Sequence, residues 1–374
     1  MIRTRHPAVL SGVIVGALML SACGRLAPGA SVSPTASVQA ELPTETPLAN
    51  GPSIVAVDAI DDTTAWAVTD RQLLVTADGG RSWRIVSAAN VTGVRALLVL
   101  GAQHIVLAGI DGLDVLIRTS VDGGQSWQES RLQTQGQPGD VRLAASDTLL
   151  AVLVQQTTSS NFSVADVFVS RDGGPFDKRP APAAGTLSIA GASDLWLAGG
   201  VFDNQLWRSA DAGLTWSEIR LPTQLGTAIG VSVPERVAGR LVLPVTINGP
   251  ATQEAWLTSS DDGATWQQVA LMAVGGNTGQ GVALPATLAG DRVVVAGPAG
   301  GLFAATAAGQ LLVPVSPNGL PLGVTTLRFT SATAAWALVT QYGCASGKSQ
   351  CFEVTRLFAT SDGGQTWYEA RLPR

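Results

Sequence analysis

Apolar positions in this chain come in short runs, without helical spacing. Gln72-Leu73-Leu74-Val75, Val115-Leu116-Ile117-Arg118, Val167-Phe168-Val169 and Leu357-Phe358-Ala359 are brief, β-prone stretches, and each runs into a polar Asp-Gly turn. Upstream of such turns lie Ala65-Trp66-Ala67-Val68, Asp194-Leu195-Trp196-Leu197 and Ala335-Trp336-Ala337-Leu338. Beyond the N-terminal segment, no stretch of ~11 residues or more repeats its apolar positions at the helical period. The pattern predicts an all-β protein.

The turns repeat. Thr76-Ala77-Asp78-Gly79-Gly80-Arg81-Ser82-Trp83 has counterparts at Ser120–Trp127, Ser209–Trp216, Ser259–Trp266 and Thr360–Trp367, with Asp122, Asp211, Asp261 and Asp362 at the Asp position. Ser170-Arg171-Asp172-Gly173-Gly174 keeps the turn but lacks the Trp, and Thr306-Ala307-Ala308-Gly309-Gln310 keeps only the centre. The Asp residues are spaced by 44, 50, 39, 50 and 101 positions, the last interval spanning two units. That is the period of propeller blades. It predicts a seven-bladed β-propeller of four-stranded antiparallel blades over residues 52–374. The motif has a mechanical meaning. Gly supplies the positive φ of the turn. The Asp carboxylate and the Ser/Thr hydroxyl accept and donate local hydrogen bonds. Trp83, Trp127, Trp216, Trp266 and Trp367 each offer a large ring to a neighbouring blade.

These segments resemble the BNR or Asp-box repeat, Ser/Thr-x-Asp-x-Gly-x-Thr/Ser-Trp. It occurs in sialidases, some glycoside hydrolases, sortilin-type receptors and the photosystem II stability/assembly factor. The resemblance covers about residues 52–374 and implies that Asp78, Asp122, Asp172, Asp211, Asp261 and Asp362 are structural, placed at the blade periphery away from any ligand funnel. The assembly-factor group matches best overall, with Trp66 and Trp336 in its Ala-Trp-Ala strand pattern. That group implies an exported, lipid-anchored binding scaffold with a protein partner and no catalysis.

The N-terminal residues read as an address. Arg3 and Arg5 precede the apolar run Ala8–Leu20, which is shorter than a comfortable membrane span of ~20 residues. Leu20-Ser21-Ala22-Cys23 resembles the bacterial lipobox, so residues 1–22 are expected to be a lipoprotein signal peptide. Lipidation of Cys23 would make the bilayer a partner. Residues 23–51, rich in Pro, Ser and Thr, then form a tether to an extracytoplasmic propeller. Two further cysteines, Cys344 and Cys351, stand seven positions apart in a polar stretch, where a disulfide is expected and a free thiol pair is the alternative.

Composition narrows the function. Removing Arg3 and Arg5 leaves 21 basic against 28 acidic side chains, and no basic run points to nucleic acid. The two histidines, His6 and His104, cannot build a His-based metal cluster. Arg171, Lys178 and Arg179 form the nearest approach to a basic cluster. Gly275–Gly281 lacks the P-loop lysine, and nothing else calls for a cofactor. A sialidase needs a Tyr nucleophile with a Glu partner, and Tyr342 and Tyr368 are the sole tyrosines. Asp61, Asp62, Asp111, Asp114, Glu235 and Glu254 are the carboxylates a glycosidase could pair across a cleft. A membrane-tethered protein-binding scaffold is therefore expected, with a cell-surface glycan-binding protein or glycoside hydrolase as the alternative.

Overall fold

The structure, a computed structural model, describes residues 53–86, 89–158, 164–226, 229–279, 281–344 and 351–373. The proposed signal peptide, the tether and Cys23 lie outside the described residues. Among those residues no helix is long and apolar enough to cross a membrane.

Seven antiparallel sheets form a β-propeller. Blade 1 is typical, with strands Ile54–Ala59, Ala65–Thr69, Leu73–Thr76 and Arg84–Ile85 in that order from the axis outward. Blade 2 (Val94–Gln133), blade 3 (Pro138–Pro180), blade 4 (Gly185–Glu218) and blade 7 (Val324–Glu369) repeat the order. First strands of blades 1 to 4, and those of blades 6 and 7, neighbour one another around the axis.

Two blades depart from the expected four strands. In blade 5 the innermost position is split into Ile229–Val231 and Glu235–Val237, both paired with Arg240–Ile247. Pro234 lies in the break and cannot donate to a ladder. Blade 6 has only Ala286–Ala289, Arg292–Ala296 and Leu302–Thr306. The chain that should supply a fourth strand pairs with the third only in isolated bridges, Ala305–Leu311 and Leu302–Val315, among the described residues. Pro314 and Pro317 interrupt it.

The core lies between blades. Buried tryptophans drive it: Trp196 and Trp336 on second strands, and Trp256 on the third strand of blade 5, are among the largest fully buried side chains. Trp196, Ala198 and Leu206 of blade 4 pack on Leu241, Leu243, Leu257 and Trp266 of blade 5. Ile54, Ala59 and Ala65 of blade 1 pack on Trp336, Leu338 and Leu357 of blade 7. This last seam closes the ring without exchanging a strand among the described residues, since every blade is continuous in sequence. Polar contacts reinforce it. Arg328 Nε lies 2.8 Å from Asp58 Oδ1 and donates to the Ala59 carbonyl at 3.2 Å. Thr330 and Ser331 donate to Asp62, and the Tyr368 hydroxyl donates to the Gly79 carbonyl.

Candidate functional site

The two ends of the propeller differ in chemistry. One end carries the turns between first and second strands and the Asp turns between third and fourth strands. Each Asp turn is a closed hydrogen-bonding unit. The Thr76 hydroxyl donates to Asp78 Oδ1 at 2.8 Å and accepts from the Gly80 N–H at 3.0 Å. Asp78 Oδ1 also accepts the Ser82 N–H at 2.9 Å, and Oδ2 accepts the Ser82 hydroxyl at 2.6 Å. Asp122, Asp211, Asp261 and Asp362 make the same pair of bonds to the Ser or Thr four residues on. These donors, the hydroxyl first, hold the carboxyls of Asp78, Asp122, Asp211 and Asp261 down at about 2. The residue after the Asp then ties the turn to its neighbour: the N–H groups of Gly79, Gly123, Ala212 and Gly363 donate to the carbonyls of Thr63, Gln103, Ser193 and Thr333.

The ring of each turn crosses the seam. Trp83 of blade 1 meets Trp336 of blade 7 edge to face at 6.2 Å. Trp266 of blade 5 meets Trp196 of blade 4 at 6.1 Å and 84°. Trp127 packs into the cluster of blade 1, Trp216 donates to the Pro180 carbonyl of blade 3, and Trp367 joins residues of blade 6. The second turn glycine lies against the same neighbour. A Cβ added at Gly263, whose φ is +86°, would stand 2.2 Å from Trp196 Cη2.

Asp172 does not play the part assigned to it as a structural Asp. Its carboxylate accepts no bond from its own turn among the described residues. Its N–H donates to the Thr148 carbonyl and its φ is 49°, so it fills the place held elsewhere by the residue after the Asp. The turn is one residue tighter, closed by Ser170 Oγ donating to the Gly174 carbonyl. In the worn blade 6 turn, Thr306 Oγ1 still accepts the N–H of Gln310.

Asp122→Ala is expected to lower the urea midpoint without changing the slope of unfolding. The gap between variant and wild type should shrink as pH falls through the folded value near 2, because stability from a depressed carboxylate is present above its unfolded pKa and lost below its folded one. A gap that widened in acid would refute this account of the turn.

The opposite end carries the connections between blades and the turns between second and third strands. Here a groove of about 750 Å³ opens between blades 4 and 5. Val201 and Phe202 come from a blade 4 turn, and Ile219, Leu221 and Pro222 from the connection to blade 5. Phe202 is 58% exposed and Val201 50%. Gln205 Nε2 donates to Glu218 Oε1 at 3.1 Å on its wall. A smaller, polar depression of about 330 Å³ lies at blade 2, lined by Arg118, Glu129, Asp111 and Arg131.

The carboxylates considered for glycoside chemistry are scattered. Asp61 caps its own turn, accepting from Thr63 and Thr64, and Asp62 accepts across the seam from blade 7. Asp111 and Asp114 are brought together, but both are engaged by Arg131 at 3.1 and 2.8 Å. Burial raises the Glu235 carboxyl, with Arg328 opposing. Glu254, wholly buried in blade 5, is pushed up to about 8 by desolvation, against a hydrogen bond from Thr246. Lys178 and Arg179 are engaged by Asp166 and by the Ala212 carbonyl, so they form no common patch with Arg171. Tyr342 is 77% exposed, whereas Tyr368 is tied to the blade 1 turn. Cys344 and Cys351 stand opposite each other in the register of the blade 7 hairpin; their side chains lie outside the described set, and with them the expected disulfide. Among the described residues no group of three His, Cys, Asp or Glu side chains could hold a metal.

The groove itself escaped sequence reasoning. The one cue was Gly199-Gly200-Val201-Phe202-Asp203, where an aromatic stands inside a turn instead of a strand.

No protein-family model matches the chain, and no curated protein does. Solved structures do. A prolyl endopeptidase structure matches at 9% identity and a TM-score of 0.52, over 85% of this chain and 49% of that one, so this chain spans about half its length. A structure of YCF48 bound to D1 peptide matches at 17% identity over 86% of this chain and 83% of that one, with a TM-score of 0.36. A GH74 enzyme from Niastella koreensis matches at 15% identity over 86% of this chain and 62% of that one, also at 0.36. At such identities the likeness is one of fold.

Proposed function

We propose that the chain is a non-catalytic propeller, tethered to a membrane through Cys23 outside the cytoplasm, that holds a protein partner on the end opposite the Asp turns. The observation that carries this is the groove between blades 4 and 5, where Phe202 and Val201 stand exposed beside a concave, mostly apolar wall. Single exposed apolar side chains are ordinary, but an aromatic and its aliphatic neighbours around a concavity provide an anchor for another chain. The five complete Asp turns spend their carboxylates on N–H and hydroxyl groups of their own turns, as Asp-box repeats of a scaffold would. The lipobox-like Leu20–Cys23 and the sequence resemblance to the assembly-factor group support the tether and the scaffold role.

The test places a photo-cross-linking phenylalanine at position 202 or, as a control on the other end, at the exposed Val121. The full chain is expressed in its membranes. An adduct with one protein is expected at 202 and not at 121, and Phe202→Asp with the cross-linker moved to 201 should reduce it about tenfold, as for a lost anchor of ~1.4 kcal/mol. Cys23→Ser should release the chain from the membrane. Equal adducts at both ends, or turnover of a fluorogenic glycoside, would overturn the proposal.

A further inference from the structure

Arg118 is the one buried basic side chain among the described residues, with 5% of its surface exposed. It stands two positions before the Ser that opens its Asp turn. The same place holds Leu74, Phe168, Trp207, Leu257, Ala304 and Phe358 in the other blades, all of them buried. Arg118 lies opposite Leu107 in the blade 2 ladder. Cross-strand partners share a face, so Arg118 points with Leu107 toward the seam with blade 1. The other blades fill this place with an apolar side chain, so packing does not call for a charge there. A guanidinium in that place keeps its charge at every working pH and costs desolvation.

The guanidinium is only partly engaged. Its Nε donates to Glu129 Oε2 at 3.1 Å, while Nη1 is buried without an acceptor among the described residues. Arg118 and Glu129 line the depression of about 330 Å³ on blade 2, together with Arg131 and Asp111. Glu129 and Arg131 stand two positions apart on the fourth strand, Gln128–Gln133, and so share its face. Arg131 Nη2 lies 3.1 Å from Asp111 Oδ2, and its Nη1 lies 2.8 Å from Asp114 Oδ2. The side chains of Glu129 and Arg131 are about half-exposed, so a ligand can reach them.

We infer that this depression is a binding site for a neutral saccharide, with the Arg118 guanidinium as its fixed donor and the Glu129 and Asp111 carboxylates as its acceptors. Three carboxylates stand here against two guanidiniums, so an anion is repelled. An ammonium or guanidinium ligand has no acceptor to offer Arg118. What fits is a neutral ligand that accepts and donates within a short distance, and a hydroxyl group does both. Neighbouring hydroxyls of a sugar ring match Arg118–Glu129 and Arg131–Asp111 side by side, whereas an amide brings one such pair. Ile110 and Leu116, also on the wall, give the C–H face of the ring an apolar contact. The site shares no residue with the groove between blades 4 and 5 and goes beyond the reading of Phe202 as an anchor.

The experiment is saturation-transfer NMR on the full chain in a detergent without a sugar head group, with maltose, cellobiose and lactose as probes. Transfer to at least one sugar is expected, and none to acetate, citrate or N-acetyl-trialanine amide. Arg118→Leu should abolish the transfer yet keep a urea midpoint no lower than that of the wild type. The other blades already hold apolar side chains in this place, and the Glu129 left behind is half-exposed to water. Arg118→Leu also alters the seam, so Glu129→Gln carries the test independently: it should weaken sugar binding about tenfold with the midpoint unchanged. Transfer to none of the sugars overturns the proposal, as does transfer to the anions or the peptide in their place. Sugar binding at wild-type strength in either variant overturns it as well. So does a lowered midpoint in Arg118→Leu, which would mean that the seam needs the charge. The cross-linking result at Phe202 stands or fails separately.

Discussion

Trp196→Ala is expected to cost about 3–5 kcal/mol of folding stability, the range for emptying a large buried aromatic site. Trp196 is fully buried in the seam between blades 4 and 5. Trp266 abuts it edge to face, Arg208 lies 5.4 Å over its ring, and Gly263 closes on its far edge. The surroundings are turn backbone and paired strands, which cannot collapse into the space. A loss of this size is a large share of the ~5–15 kcal/mol that holds a domain folded. Urea unfolding of Trp196→Ala beside Trp216→Ala decides the matter. Trp216 is half-buried at the rim of its seam, so its truncation should cost clearly less. Equal losses would mean that the seams are not built around the second-strand tryptophans.

Glu254→Gln should stabilise the protein at neutral and alkaline pH, by roughly a few kcal/mol near pH 8. The native carboxyl keeps its proton up to about 8, whereas an ordinary glutamate releases it near 4.5. Between those values the unfolded chain binds fewer protons than the native one, so stability falls as pH rises. Glutamine keeps the shape and can still accept the Thr246 hydroxyl, but carries no proton to lose. Melting temperatures of the two proteins should coincide near pH 4 and diverge upward from there, the variant remaining the higher. Parallel curves would show that Glu254 is not held neutral.

The Asp turns were legible in the sequence because they are local. A Thr, an Asp, two glycines and a Ser within seven positions contain the carboxylate and hydroxyl bonds that close the Thr76–Ser82 turn. Blade number followed from their spacing. What spacing could not show is register: Ser170-Arg171-Asp172-Gly173 reads like its relatives, yet one residue fewer moves Asp172 to the next place in the turn. The missing strand of blade 6 was foreshadowed only by its absent Trp. The groove is assembled from a blade 4 turn and the connection to blade 5, and the neutrality of Glu254 arises from a burial that no stretch of sequence displays.

A ring closed by whole blades also bears on how the chain is made. In a ring closed by a shared strand, the first strand synthesised must wait, unpaired, for the last. Here blade 1 completes its own ladder as soon as Arg84–Ile85 leaves the ribosome, and each later blade adds a finished sheet to the one before it. Among the described residues no strand of the nascent protein therefore waits for a partner from another blade. The apolar flank of blade 1 around Ile54 and Trp83 stays bare longest, until Trp336 arrives to cover it.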